Sequence, residues 1–217
     1  MRRLQQHVSL AGTRLTAYDI IHKARRDREF DNALAPARVF FQFVEDALYL
    51  DVAITLEKIY DPRGKRSLPK YLNKCLNDLP ALDFDSSVLD ARKLNDQVGR
   101  VRSLPYDRLR TLRDKWLAHH DPVAFDQPQR FGANHSLSRN DLAPFAELAQ
   151  EILKVHFLAR GSDLHPGLPG SDDVNNLLAI LQRYQSVRIK WAMGQMEAEE
   201  AMRSLYEFET RLRGDPF

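Results

Sequence analysis

One arginine and two histidines stand out as residues that can carry chemistry, because they share one short helical segment. The segment runs LRTLRDKWLAHHD over 109–121. On an ideal helix, Arg113 and His120 differ by only about 20° around the axis, whereas His119 lies about 120° from Arg113. Arg113 and His120 therefore fall on the apolar stripe of this helix, which is formed by Leu109, Leu112 and Trp116.

A charge on an apolar stripe is costly unless a polar group meets it. The partner of Arg113 is therefore either a carboxylate in the core or an anionic ligand. Arginine binds carboxylate and phosphate oxygens with two parallel hydrogen bonds, and histidine exchanges a proton near neutral pH. Asp51 falls near the apolar side of a helix predicted over 36–60, so it is either that carboxylate or a group that supports the site.

Two runs of the sequence resemble the HEPN superfamily. The run RDKWLAHHD at 113–121 resembles the form seen in its abortive-infection-type branch, an arginine followed by a polar and a basic residue and then by Ala-His-x-Asp. The run ALYLDVAITLEKIYDPRGKRSL at 47–68 is similar to the long second helix and the following turn of that branch. The resemblance covers residues 35–160.

The resemblance implies a helical bundle that forms a homodimer, with two Arg-His pairs meeting at the interface. Many members are metal-independent ribonucleases, often toxins or phage-defence effectors, and others are binding or scaffold modules without activity. The motif arginine corresponds to Arg113 and the motif histidine to His119, which follows Ala118. Helix geometry instead favours His120 as the neighbour of Arg113, so both histidines remain candidates.

The chemistry implied is cleavage of RNA by attack of its 2′-hydroxyl on the adjacent phosphate. A histidine would move the proton, and Arg113 would stabilise the charge on the phosphate. No metal or other cofactor is expected. Asp114 could orient a histidine and Lys115 could contact the RNA backbone, although both are more often solvated residues. Trp116 is interpreted as a core or dimer-interface residue, with base stacking as the alternative.

Other motifs point less directly to chemistry. Arg63, Lys65 and Arg66 either contact phosphate or stay solvated in a loop. Three of the histidines outside the motif, His135, His156 and His165, are too scattered for a metal site. The sequence has neither a glycine-rich phosphate loop nor a nucleophile elbow.

The composition predicts an all-α bundle, and with the resemblance the expected fold is an up-and-down, HEPN-like helical bundle with extra C-terminal helices. Leu and Ala are abundant, β-branched residues are scarce, and only 9 of 217 residues are Gly. The balance of 43% hydrophobic and 29% charged residues is typical of a soluble globular protein. The single cysteine, Cys75, excludes an intramolecular disulfide and lies on an apolar stripe, so we expect it to pack in the core.

Proline, glycine and capping residues indicate where the helices begin and end. The charged segment 1–30 is expected to break near Gly12, Ser67 to cap a helix over 67–79, and Ser87 to begin one that ends at 103. A segment at 138–141 is expected to cap a helix over 140–159. The domain prediction is a bundle over 1–160, a Gly/Pro-rich linker over 161–173 and a helical extension over 174–217 that packs on the bundle.

The function predicted is a HEPN-type endoribonuclease. The alternative is a non-catalytic dimeric helical module that binds nucleotide, RNA or a protein partner. A homodimer and an RNA substrate are expected, with an antitoxin as a further partner, and neither DNA nor a membrane is predicted as a partner. The net charge of +2 excludes a general nucleic-acid coat protein. Since the chain has no long apolar run and no apolar leader, a cytoplasmic location is predicted.

Overall fold

The computed structural model describes residues 2–114, 137–162 and 171–213. Within these ranges the regular structure is helical and no strand occurs, so the predicted all-α class is confirmed. The α-helices are α1 Arg2–Arg26, α2 Arg28–Leu34, α3 Arg38–Tyr60, α4 Leu68–Asn77, α5 Ala91–Ser103, α6 Tyr106–Leu112, α7 Arg139–Leu158, α8 Ser171–Ala192 and α9 Ala198–Arg213. Short 3-10 turns occupy Ala35–Ala37 and Leu79–Ala81.

The start of α7 is a capping box, as the sequence predicted. The Ser138 side chain accepts a hydrogen bond from the Asp141 amide, and the Asp141 carboxylate accepts one from the Ser138 amide at 2.7 Å. Ser67 also stands at a helix start, before α4, but its hydroxyl donates to the Gly64 carbonyl at 3.1 Å. The predicted side-chain cap at Ser67 is therefore wrong, because the preceding turn takes its hydroxyl.

The predicted start of α5 is wrong by four residues. Asp85 accepts from the Ser87 amide at 2.9 Å and closes a separate turn. Asp90 caps α5 instead, by accepting from the Lys93 amide at 2.8 Å. The helix therefore begins at Ala91, where a carboxylate is free to satisfy an amide of the first turn.

Residues 1–15 and 49–168 form one compact unit. Tyr60, at the end of α3, joins this helix to α7: its hydroxyl donates to the Phe145 carbonyl at 2.6 Å, and the two rings meet edge to face at 5.1 Å. The largest fully buried side chains of the described part all belong to this unit: Leu56, Ile59, Leu68, Leu72, Leu89, Leu94, Leu109, Leu112, Leu142, Phe145, Ile152 and Leu153.

Helix α1 continues through Gly12, so the predicted break there is wrong. A Cβ built on Gly12 would overlap the side-chain amide of Gln150 on α7. A Cβ at this position would therefore make the end of the flexible Gln150 side chain move, and the helix backbone tolerates glycine at a modest cost in propensity.

The same unit contains a buried hydrogen-bonded group between α4, α5 and α7. The Tyr71 hydroxyl donates to His156 Nδ1 at 2.9 Å, and His156 Nε2 donates to Gln97 Oε1 at 2.9 Å. Burial, with a smaller contribution from the Arg160 charge, lowers the pKa of His156 to about 4. His156 is therefore neutral at pH 7. Cys75 packs nearby on α4 with 2% of its surface exposed, which confirms its predicted place in the core.

Residues 16–48 and 169–217 form the second compact unit. Its core contains Ile21, Ala24, Leu34, Phe41 and Leu178, so that α8 packs against the segment from α1 to α3. The helical spacing of apolar residues over 36–60 predicts that Phe40 and Phe43 lie on a buried face of α3, but their side chains are 60% and 71% exposed. That expectation is wrong, because Phe41 enters the core instead. The boundaries predicted at 160 and 174 stay a prediction.

Candidate functional site

Arg113 lies directly after α6, where the backbone changes from α-helical to π-helical geometry. Helix α6 is anchored by Leu109 and Leu112, which are each 1% exposed. The backbone then adopts π-helical geometry at Arg113 and Asp114. An extra residue in a turn shifts the side chains that follow relative to an ideal helix, and such bulges are frequent at functional sites. His120 lies outside the described residues, so the angle of about 20° expected between it and Arg113 on an ideal helix stays a prediction.

Two carboxylates hold the Arg113 guanidinium. Nη1 donates to Glu57 Oε1, while Nε and Nη2 donate to Asp114 Oδ1 at 2.8 and 2.5 Å. The hydrogen bond to Asp114, followed by the negative charges of Glu57 and Asp114, raises the pKa of Arg113 above its usual range. Asp114 also lies 3.5 Å from Arg110 Nε. Arg113 is therefore a fixed cation with 28% of its side chain exposed.

Glu57 is the most buried member of this group. Only 3% of its side chain is exposed, and its Oε1 also accepts a hydrogen bond from the Tyr106 hydroxyl at 2.9 Å. Burial raises the pKa of Tyr106, and the hydrogen bond and charge of Glu57 raise it further. Tyr106 therefore stays protonated and donates to Glu57. The polar partner that the sequence required for Arg113 is a core carboxylate, and it lies on α3.

Asp51 does not pair with Arg113. It forms an ion pair with Arg14 of α1, and 43% of its side chain is exposed. Asp51 as the core carboxylate on Arg113 is therefore wrong, because Glu57 occupies that position. Asp114 does contact Arg113, through the hydrogen bonds described above. The remaining predicted site residues, Lys115, Trp116, His119 and His120, lie outside the residues that the structure describes.

Sequence reasoning missed Glu57 and Tyr106, although a signal for Glu57 was present. Glu57 lies four residues after Ala53 and three before Tyr60, which are both buried on α3. A carboxylate at helical spacing on an apolar face is the same signal that singled out Asp51. No comparable signal marks Tyr106, because a tyrosine at a helix start is common on any surface.

Across 2–114, 137–162 and 171–213, no three His, Cys, Asp or Glu side chains are placed to hold a metal ion. None of the helices in these ranges has the length and apolar character needed to cross a bilayer.

Comparison with known proteins places the chain in a family. The AbiU2 family model, of HEPN type, matches residues 4–184, which includes Glu57, Tyr106 and Arg113. Searches of curated proteins and of solved structures gave no significant match. The match covers well over half of the chain and agrees with its all-α structure, and it indicates a HEPN-type function related to abortive infection. The chain therefore belongs to the AbiU2 family of HEPN-type abortive-infection proteins.

Proposed function

We propose that this protein is a metal-independent endoribonuclease of HEPN type that acts in abortive infection, as a toxin or a phage-defence effector. The observation that carries the proposal is the state of Arg113. Buried Glu57 fixes one nitrogen of its guanidinium, while more than a quarter of the side chain stays exposed. A fixed and partly exposed guanidinium is suited to bind a phosphodiester and to stabilise charge that develops on it.

Asp114 occupies the edge of the guanidinium that a phosphate would use. Nε and Nη2 both donate to its Oδ1, and this pair of donors fits two phosphate oxygens equally well. The Asp114 side chain is 41% exposed, and ion pairs at such exposure contribute only about 0–1 kcal/mol. A phosphate can therefore replace Asp114 on Arg113 without disturbing the contact with Glu57.

The proposed reaction needs one base and one acid. A histidine takes the proton from the 2′-hydroxyl while the 2′-oxygen attacks phosphorus. His119 is the preferred candidate for this histidine, and His120 is the alternative. The bond from phosphorus to the 5′-oxygen breaks, and a protonated histidine donates to that oxygen. The products are a 2′,3′-cyclic phosphate and a 5′-hydroxyl. In a homodimer, the base and the acid would come from different chains.

The ion pair between Arg113 and Glu57 also favours a second candidate. An arginine that balances a buried carboxylate contributes to stability with or without catalysis. The protein would then be a non-catalytic dimeric module that binds nucleotide, RNA or a protein partner such as an antitoxin. Activity of purified protein separates the two candidates.

The test is cleavage of single-stranded RNA in the presence of EDTA. Arg113→Ala and His119→Ala should each lower the cleavage rate at least about 100-fold, the scale of losing a charge-stabilising or proton-transfer group. Arg110→Ala is the matched control, because it removes a neighbouring arginine that also pairs with Asp114 and leaves Arg113 in place. Circular dichroism should first show that each variant is folded.

Cleavage that persists in folded Arg113→Ala would refute the site. If His119→Ala stays active and His120→Ala does not, the second histidine takes the role. No cleavage of any RNA by the unaltered protein would favour the non-catalytic module.

A further inference from the structure

A strongly basic cleft, distinct from the Arg113 group, lies in the first compact unit. It has a volume of about 670 Å³ and is built from the first turn of α1, the loop after α3 and the first two turns of α4. Five of its eight lining residues are cationic and none is anionic. The cations are Arg3, Lys65, Arg66, Lys70 and Lys74, and we call this site the basic cleft.

The cations of the basic cleft differ from other arginines of this unit. Arg14, Arg100 and Arg108 each form an ion pair with a carboxylate. None of the five cleft cations has a carboxylate within ion-pair distance among the residues that are described, and Lys70 Nζ lies 3.4 Å from a backbone carbonyl. Clustered like charges repel one another, so this arrangement creates a local positive potential that an anion would relieve.

Three of the cleft cations recur every four residues along the chain. Lys70 and Lys74 are four residues apart on α4, which places them on one face with a rise of about 6 Å between them. Arg66 lies four residues before Lys70, just ahead of the helix. A row of separated charges matches an extended chain of phosphates better than a single small anion.

The wall of the basic cleft is held firmly. Tyr71, which lies between the two lysines in sequence, is fixed by the hydrogen bond from its hydroxyl to His156. Ser67 and Leu72 are completely buried beneath the same turn. Lys70 and Lys74 are themselves exposed, but they flank these held residues on α4. Such a surface can bind a polyanion without the entropic cost of ordering a loop.

We propose that the basic cleft binds the phosphodiester backbone of single-stranded RNA. The choice of RNA among polyanions rests on the proposed ribonuclease function. The chain itself connects the two sites, since α3 carries Glu57 in its last turn and leads directly into the loop that carries Lys65 and Arg66. The basic cleft would supply the affinity for RNA that a net charge of +2 does not supply by itself.

The test measures binding separately from cleavage. Fluorescence anisotropy of a labelled single-stranded RNA is measured on Arg113→Gln protein, with and without the double substitution Lys70→Gln and Lys74→Gln. Loss of two phosphate contacts should reduce the slope of log K against log salt by about 1.4, which corresponds to roughly tenfold weaker binding at about 0.15 M salt. The matched control replaces two exposed lysines elsewhere, Lys154→Gln and Lys190→Gln, and should bind as tightly as the parent.

Equal affinity of the cleft variant and the control would overturn the inference. Binding of inorganic polyphosphate through these lysines without binding of RNA would also overturn it. If the unaltered protein binds RNA through the basic cleft and never cleaves it, the inference stands and the ribonuclease proposal fails. If the Lys70/Lys74 variant cleaves RNA with an unchanged KM, the ribonuclease proposal stands and the inference fails.

Discussion

Glu57 and Arg113 carry opposite charges, but water reaches them to different extents. Glu57 has 3% of its side chain exposed, whereas Arg113 has 28%. A buried charge that loses its partner keeps the full cost of having left water, while a partly exposed charge recovers its hydration. The pair is therefore asymmetric, and the two single substitutions should not have equal effects.

We expect Arg113→Gln to lower the free energy of unfolding by about 3 kcal/mol, and Glu57→Gln by about 1 kcal/mol. The first change leaves a carboxylate buried with only the Tyr106 hydroxyl as donor. The second change leaves an arginine that still forms hydrogen bonds with Asp114 and remains accessible to water. Urea unfolding at pH 7 measures both values, and equal costs would contradict this account of the burial.

The sequence could predict that Arg113 needs a polar partner, but not which one. Asp51 and Glu57 are both acidic residues on α3, six positions and about 9 Å of helix rise apart. Helical spacing reports which face a residue occupies. Six positions place the two carboxylates about 120° apart around the axis, so they occupy different faces, and the pattern does not report which face meets α6, since that depends on how the helices pack.

His156 makes stability depend on pH. Its pKa is about 4 in the folded protein, against 6.5 for an unperturbed histidine. Between these values the unfolded chain binds a proton that the folded chain excludes, so the free energy of unfolding falls as the pH drops from 6.5 to 4. The loss should reach about 3 kcal/mol. Urea unfolding across this pH range measures it.

The control is His156→Gln, which removes the titration and should flatten this part of the profile. Carboxylates such as Asp141 and Glu151, whose pKa values are lowered by hydrogen bonds from Ser138 and Arg100, begin to contribute only below about pH 4.5, the ordinary pKa of a glutamate. An identical slope in the two proteins would show that His156 does not cause it.

The elements themselves were largely predictable, because helix ends depend on nearby residues. The capping box of α7 could be predicted from four consecutive residues, since Ser138 and Asp141 satisfy each other. The start of α5 could not be predicted in this way, because several carboxylates and serines precede the helix and each of them could serve as its N-cap. The exposure of Phe40 and Phe43 could not be predicted from the local sequence pattern either, because it depends on which helices cover α3.

Ser138→Ala should lower the free energy of unfolding by about 1 kcal/mol, the usual cost of losing an N-cap. Its hydroxyl accepts from an amide that would otherwise lack a partner at the start of α7. Ser138→Thr keeps an oxygen at the same place and serves as the control. Thermal unfolding compares the three proteins, and an unchanged midpoint for the alanine variant would argue against the cap as a source of stability.

For the whole molecule, the ribonuclease proposal requires two copies. Light scattering should give a mass of twice 25.1 kDa, and specific activity should fall when the protein is diluted below the dissociation constant of the dimer. The activity arises only in the dimer if each chain supplies one of the two histidines. Activity per chain that stays constant through dissociation would show that one chain is sufficient.

Cys75 has a practical consequence for studying this chain in solution. Its thiol is buried on α4, and burial raises its pKa, so the reactive thiolate is scarce and shielded. Two cysteines introduced on the surface would then react with maleimide dyes while Cys75 does not. Pairs of fluorophores could follow how the chain moves when RNA is added, without first replacing the natural residue.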